Sequence, residues 1–132
     1  MKKTNLEIMF VLFIIIIFLL ACDTTTETSQ ANMAKVFQIH LQSGFAQTPV
    51  TITIDNSQIY ADIISTSALS GAAAIVPVQV TNGTHLLRVT VSNSISKDTS
   101  FTIQDTLYIG VNYNSQNSQI DYYFTRKGFL YD

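Results

Sequence analysis

The stretch Val76-Pro77-Val78-Gln79-Val80-Thr81-Asn82-Gly83-Thr84-His85-Leu86-Leu87-Arg88-Val89-Thr90-Val91 decides the fold class. Val76, Val78 and Val80 alternate with other residues before the turn, and Leu87, Val89 and Val91 do so after it. Period-two alternation of this kind belongs to a strand with one buried and one wetted face. Asn-Gly is the strongest two-residue hairpin signal, since both residues tolerate positive φ. Pairing Thr81 with Thr84 sets Val78 opposite Leu87 and Val76 opposite Val89, so the spacing predicts a hairpin here. Pro77 has no N–H to give a ladder, which predicts an edge position for its strand.

The same alternation extends outward in both directions. Phe37, Ile39 and Leu41 form one set, Val50, Ile52 and Ile54 another, and a further strand is expected near Ile59 to Ile63. Beyond the central stretch come Phe101 and Ile103, then Leu107, Ile109 and Val111, and finally Ile120, Tyr122 and Phe124. A loop Asp55-Asn56-Ser57-Gln58 would pair Ile54 with Ile59 and Ile52 with Ala61. A loop Ser115-Gln116-Asn117-Ser118 would pair Val111 with Tyr122, Ile109 with Phe124, and Gly110 with Tyr123, whose ring would cover the bare glycine. Ser67 to Ala74 is small and apolar but too short and glycine-broken for a helix. One sheet of eight strands would leave its apolar face wet, so two sheets packed about 10 Å apart are expected. The expectation is an all-β, antiparallel two-sheet sandwich of about seven to eight strands over residues 35–132.

The first 34 residues have a different character. Lys2 and Lys3 precede an unbroken apolar run, Ile8 to Leu20, closed by the small residue Ala21. A transmembrane helix needs about 20 such residues, so the run has the length and flanks of a secretory signal helix rather than of a stable span. Leu19-Leu20-Ala21-Cys22 resembles the bacterial lipobox, with Leu20 where Ala or Ser is more usual. That resemblance implies cleavage after residue 21 and acylation of Cys22, the only cysteine of the chain. It accounts for a lone cysteine in an exported protein, which has no intramolecular disulfide partner. Two or three acyl chains hold firmly where one holds only marginally. The polar stretch after Cys22, through residue 34, reads as a flexible tether. The expected location is therefore the cell envelope, on the periplasmic or external side of a membrane reached through the lipid.

A second resemblance lies in the body of the chain. Val50-Thr51-Ile52-Thr53-Ile54-Asp55-Asn56-Ser57-Gln58-Ile59-Tyr60, followed by Val78 to Val91 with its Gly83-Thr84-His85-Leu86-Leu87-Arg88-Val89 segment, looks like the layout of PEGA-type and carboxypeptidase-regulatory-like domains. It covers the middle half of the mature chain, and the PEGA tetrapeptide itself is missing. The resemblance implies a transthyretin-like or Ig-like β-sandwich with no activity attached.

Charge excludes one class of partner. Beyond the leader the basic residues are Lys35, Arg88, Lys97, Arg126 and Lys127, with no basic run of the kind that binds nucleic acid. The two histidines, His40 and His85, have no Cys, His or carboxylate at metal-ligand spacing, and read as surface and turn residues. No cofactor or metal is expected. Asp55-Asn56-Ser57 lacks the alternating acidic pattern of a calcium loop and reads as an Asx-type turn. No serine sits in a nucleophile elbow, and lipidation would use up the cysteine thiol, so a catalytic role is not expected.

The tyrosines carry the remaining interest. Tyr60, Tyr108 and Tyr123 fall on the opposite phase from the core residues, and Arg88, Asn112 and Asp121 share the polar phase of their strands. Exposed rings beside amides and charges can stack on sugars or grip a protein. These six residues are the candidate ligand or partner surface. The tail Arg126 to Asp132, with Phe129, Leu130 and Tyr131, either docks back on the sandwich or offers a small partner-binding strand. The first functional reading is a non-catalytic, lipid-tethered envelope module that binds or braces another envelope component. A second is a carbohydrate-binding surface lipoprotein, and a third is a small hydrolase built from scattered aspartates.

Overall fold

A computed structural model describes residues 34–131. The leader over residues 1–21, Cys22 and the tether through residue 33 lie outside the described residues, as does Asp132. Eight strands follow one another: β1 (Lys35–Leu41), β2 (Thr48–Ile54), β3 (Ser57–Ile64), β4 (Ala74–Val80), β5 (Gly83–Val91), β6 (Ile95–Ile103), β7 (Tyr108–Asn114) and β8 (Gln119–Thr125). They form two four-stranded sheets, ordered β4-β1-β7-β8 and β3-β2-β5-β6. The expected all-β, two-layered sandwich is what the chain adopts.

Most of the alternating residues do what their period requires; Phe124, near the end of the edge strand β8, stays 46% exposed instead. Phe37, Ile39, Leu41, Val76, Val78, Ile109, Val111 and Ile120 are buried from the first sheet. Val50, Ile52, Ile54, Leu87, Val89, Val91, Phe101 and Ile103 are buried from the second. Phe37 and Phe101 meet across the core with ring centroids 5.3 Å apart. Pro77 sits opposite Gln38 on an edge strand, where its missing N–H breaks no central ladder.

Pairing departs from the expected meander in three places. First, Asn82-Gly83 is a crossover between sheets and makes no hairpin: β4 pairs with β1, while β5 pairs with β2 and β6. A type I′ turn needs positive φ at both central residues, but only Gly83 has it here, at 125°. Val78 and Leu87 point into the core from opposite sheets, so apolar matching is satisfied without a shared ladder. Second, the β2–β3 turn is tighter than expected. Asp55 and Asn56, at φ 49° and 67°, make a two-residue turn that sets Ile54 opposite Ser57. A bulge at Ile52/Thr53 then places Ile52 opposite Tyr60 in place of Ala61. Third, β1 and β7 run parallel, so the first sheet is mixed where an antiparallel one was expected.

The β7–β8 hairpin keeps the expected register throughout, with Val111 opposite Tyr122, Ile109 opposite Phe124 and Gly110 opposite Tyr123. The open side of the sandwich beside β6 and β8 is closed by polar contacts. Lys97 Nζ donates to the Ile120 carbonyl at 2.6 Å, and the Tyr122 hydroxyl donates to the Lys97 carbonyl at 2.5 Å.

Candidate functional site

The six candidate residues divide between the two sheets. Tyr108, Asn112, Asp121 and Tyr123 lie together on the outer face of the first sheet, because β7 and β8 pair Asn112 directly with Asp121 and Gly110 with Tyr123. Arg88 stands on the outer face of the second sheet, on the other side of the molecule. Its guanidinium is held bidentately by Asp98, at 2.6 and 2.7 Å. The exposed position expected of Tyr60 is corrected: the bulge, with Ile59 of β3 as the extra residue, puts it opposite buried Ile52, and it packs against the core. Burial, with Asp62 nearby, raises its hydroxyl pKa. The site is therefore one of four residues, and Tyr60 and Arg88 are outside it.

The loop after β1, which carried no functional signal in the sequence, fixes Asn112. Ser43 donates to Asn112 Oδ1 through its backbone N–H at 2.9 Å and its hydroxyl at 2.7 Å. Ser43 is in turn tied down by the Tyr113 N–H, which donates to its carbonyl at 3.0 Å. Gly44 makes the close approach possible: it lies at φ +91°, and a Cβ there would fall 1.5 Å from the Tyr113 carbonyl oxygen. On the other side, Asp121 Oδ1 accepts from Gln119 Nε2 at 2.8 Å, with Lys97 Nζ at 3.6 Å. Ser43, Gly44, Asn112 and Asp121 line an open cleft of about 430 Å³ between the Ser43–Gly44 loop and the β7–β8 turn, with Asn114 and Gln116 contributing to its wall. That volume is within the range of ligand clefts, about 300–1,000 Å³.

The tail borders the same face. Of the two arrangements expected for it, the structure shows it docked on the sandwich. The Phe129 ring packs on His40 with centroids 5.0 Å apart, and its edge would lie 2.8 Å from a Cβ at Gly110. Phe129, with Gln42, fills the space over the glycine that the cross-strand neighbour Tyr123 was expected to cover. Tyr108 is half-buried, with His40 at its edge and Gly128 against its ring. Tyr123 stays 52% exposed.

Both histidines differ from the surface and turn roles expected of them. His40 is on the outer face but only 4% exposed, because the tail covers it. Its Nδ1 lies 2.7 Å from the Tyr131 hydroxyl and its Nε2 lies 3.0 Å from Gln38 Oε1. A neutral ring protonated at Nε2 satisfies this network, with Nδ1 accepting from Tyr131 and the Tyr131 oxygen accepting from Gln42 Nε2. Burial lowers the His40 pKa, in agreement with a neutral ring. His85 is the opposite case. Its Nδ1 faces Asp55 Oδ2 at 2.6 Å and its Nε2 faces the Thr81 carbonyl at 2.8 Å. Two acceptors are both satisfied only when the ring carries two protons, so this network favours the imidazolium form. The hydrogen bond to Asp55 raises the His85 pKa, and the same bond, with the Leu86 N–H, holds Asp55 low. Asp55 is thus no Asx turn: its carboxylate spans to β5 and clamps the crossover.

Among the described residues, no group of three or more His, Cys, Asp or Glu side chains is placed to hold a metal ion. No protein-family model matches the chain, and no curated protein matches it at a significant level.

Proposed function

We propose that this chain is a non-catalytic bacterial envelope lipoprotein, anchored through acylated Cys22, whose β-sandwich presents the outer face of the β4-β1-β7-β8 sheet to another envelope component. The observation that carries the binding role is the pairing of Asn112 with Asp121 in one cleft, both side chains already held in place by Ser43 and Gln119, with exposed Tyr123 two residues along on the same face. Pre-organised polar groups beside an exposed ring lower the ordering cost of binding. The anchor rests on the leader and on Leu19-Leu20-Ala21-Cys22. The layout similar to PEGA-type and carboxypeptidase-regulatory-like domains agrees with an accessory role in the envelope. Glycoside hydrolysis uses a pair of carboxylates, and among the described residues Asp121 is the one carboxylate lining this cleft, so binding suits it better than that reaction.

Mass spectrometry of the native protein tests the anchor. The expected result is an N-terminal Cys22 carrying acyl chains, and loss of membrane association in Cys22→Ser. An intact Met1 with a free thiol overturns it.

A further inference from the structure

Resting on the binding role just given, we propose that the Asn112–Asp121 cleft binds neutral glycans by reading a vicinal diol, with Tyr123 as the stacking surface.

Three features of the cleft point to that ligand. The first is the donor. With Oδ1 of Asn112 occupied by both Ser43 groups, its Nδ2 is left for another partner. Among the described residues no group accepts from that Nδ2. The second is the acceptor. Asp121 is the direct cross-strand partner of Asn112 and spends Oδ1 on Gln119, leaving Oδ2 without a donor among the described residues. Direct cross-strand partners have Cβ atoms about 5 Å apart, yet the amide and carboxylate do not bond to each other. A free donor and a free acceptor on directly paired residues match two adjacent hydroxyls: one oxygen accepts from Nδ2 while the neighbouring O–H donates to Oδ2.

The third feature is the ring. Tyr123 follows Asp121 by two residues, so it shares its face about 7 Å further along the strand, on the side away from the β7–β8 turn and just outside the residues that line the cleft. A pyranose whose diol meets Asn112 and Asp121 can lay its C–H face over that ring, which is half-exposed and free of other aromatic partners among the described residues. The charge of Asp121 selects the class. A carboxylate in the lining of the cleft repels uronates and other acidic sugars, and Lys97, 3.6 Å from Oδ1, only partly offsets it. An amide–carboxylate pair without a metal therefore suits neutral hexose or N-acetylhexosamine units. The cleft is open, so micromolar to millimolar affinity is expected per site, raised by display of many lipid-anchored copies.

The test uses the full chain on an array of neutral hexose and N-acetylhexosamine oligosaccharides, with uronate oligosaccharides as the acidic arm. Binding to neutral probes is expected, with at least a tenfold loss in each of Asn112→Ala, Asp121→Asn and Tyr123→Ala. Arg88→Ala, on the opposite face, should bind as wild type, and thermal unfolding identifies any variant that fails to fold. Tyr123→Phe, which keeps the ring, should retain binding. A blank array, preference for uronates, or binding indifferent to Asp121→Asn and Tyr123→Ala overturns the glycan inference. Cross-linking in native envelopes separates the two readings: a protein partner lost in the same variants while the array stays blank leaves the binding role standing and removes the glycan. Blank results in both remove both.

Discussion

Replacing Gly44 by alanine should cost far more than its exposed loop position indicates. The residue lies at φ +91°, and the new methyl would sit 1.5 Å from the carbonyl oxygen of Tyr113. That oxygen belongs to the β7 backbone and cannot swing aside as a side chain would. The loop must therefore withdraw by more than an ångström, and three hydrogen bonds go with it. These are Tyr113 N–H to the Ser43 carbonyl at 3.0 Å, and the two Ser43 donors to Asn112 Oδ1 at 2.9 and 2.7 Å. At about 1 kcal/mol per bond net, with about 1 kcal/mol more for a non-glycine residue in the left-handed region, the expected loss is about 3–4 kcal/mol.

Urea denaturation measures it directly. With an m-value of about 2 kcal/mol/M for a domain of this size, the midpoint should fall by roughly 1.5–2 M. Gly128→Ala is the internal control. Its Cβ would meet the Tyr108 ring at 3.8 Å, an ordinary contact, and its φ is not in the left-handed region. The control should therefore be neutral or slightly stabilising. A Gly44→Ala protein within about 1 kcal/mol of wild type, on a scale where surface changes stay near ±0.5 kcal/mol, would refute the close approach and with it the fixed position of Asn112.

Two further outcomes follow from buried polar groups. Tyr122→Phe removes the hydroxyl that donates to the Lys97 carbonyl at 2.5 Å and accepts from the Val89 N–H at 3.3 Å. It should destabilise the domain by about 1–3 kcal/mol, since two backbone groups lose their shared partner; an unchanged melting temperature would show that the sheets do not depend on this tie. The two histidines should titrate in opposite directions from the ordinary value of about 6.5, read from imidazole NMR shifts. His40, lowered by burial, stays neutral in the folded state below that value. The unfolded chain takes up the proton first, so tail docking weakens as pH falls through and below 6.5. His85, raised by its bond to Asp55, contributes stability that is complete below 6.5 and is lost as pH rises through its elevated folded value. Asp55→Asn should remove that alkaline loss. A His85 that titrates below His40 would contradict both assignments.

Strand existence was legible because its signal is local. Most of the eight strands show their period within five or six residues, and burial of alternate side chains needs no knowledge of the partner strand; β3 is the exception, with Ile59 and Ile63 exposed. Pairing is different. Val76, Val78, Leu87 and Val89 match equally well as neighbours in a ladder or as opposing layers of a core, so apolar register alone does not separate a hairpin from a crossover. What separates them lies elsewhere in the chain: Asp55 bonds to Leu86 and His85, which commits β5 to β2 and leaves β4 for β1. The parallel β1–β7 pair joins strands seventy residues apart, Ile39 against Ile109, and nothing in either segment specifies the other.

The same division runs through the candidate site. Asn112, Asp121 and Tyr123 were legible together because a four-residue turn brings β7 and β8 into a register that polar phase and loop length specify on their own. Tyr60 was misplaced by a single bulge, which reverses the face of every residue beyond it. The groups that make the pair rigid came from afar: Ser43 reaches Asn112 across 69 positions, and Tyr131 reaches His40 across 91. A local hairpin thus supplies the chemistry of the cleft and distant segments supply its order. Changes in the Ser43–Gly44 loop should therefore weaken binding by freeing Asn112, while the β7–β8 ladder and its register stay intact.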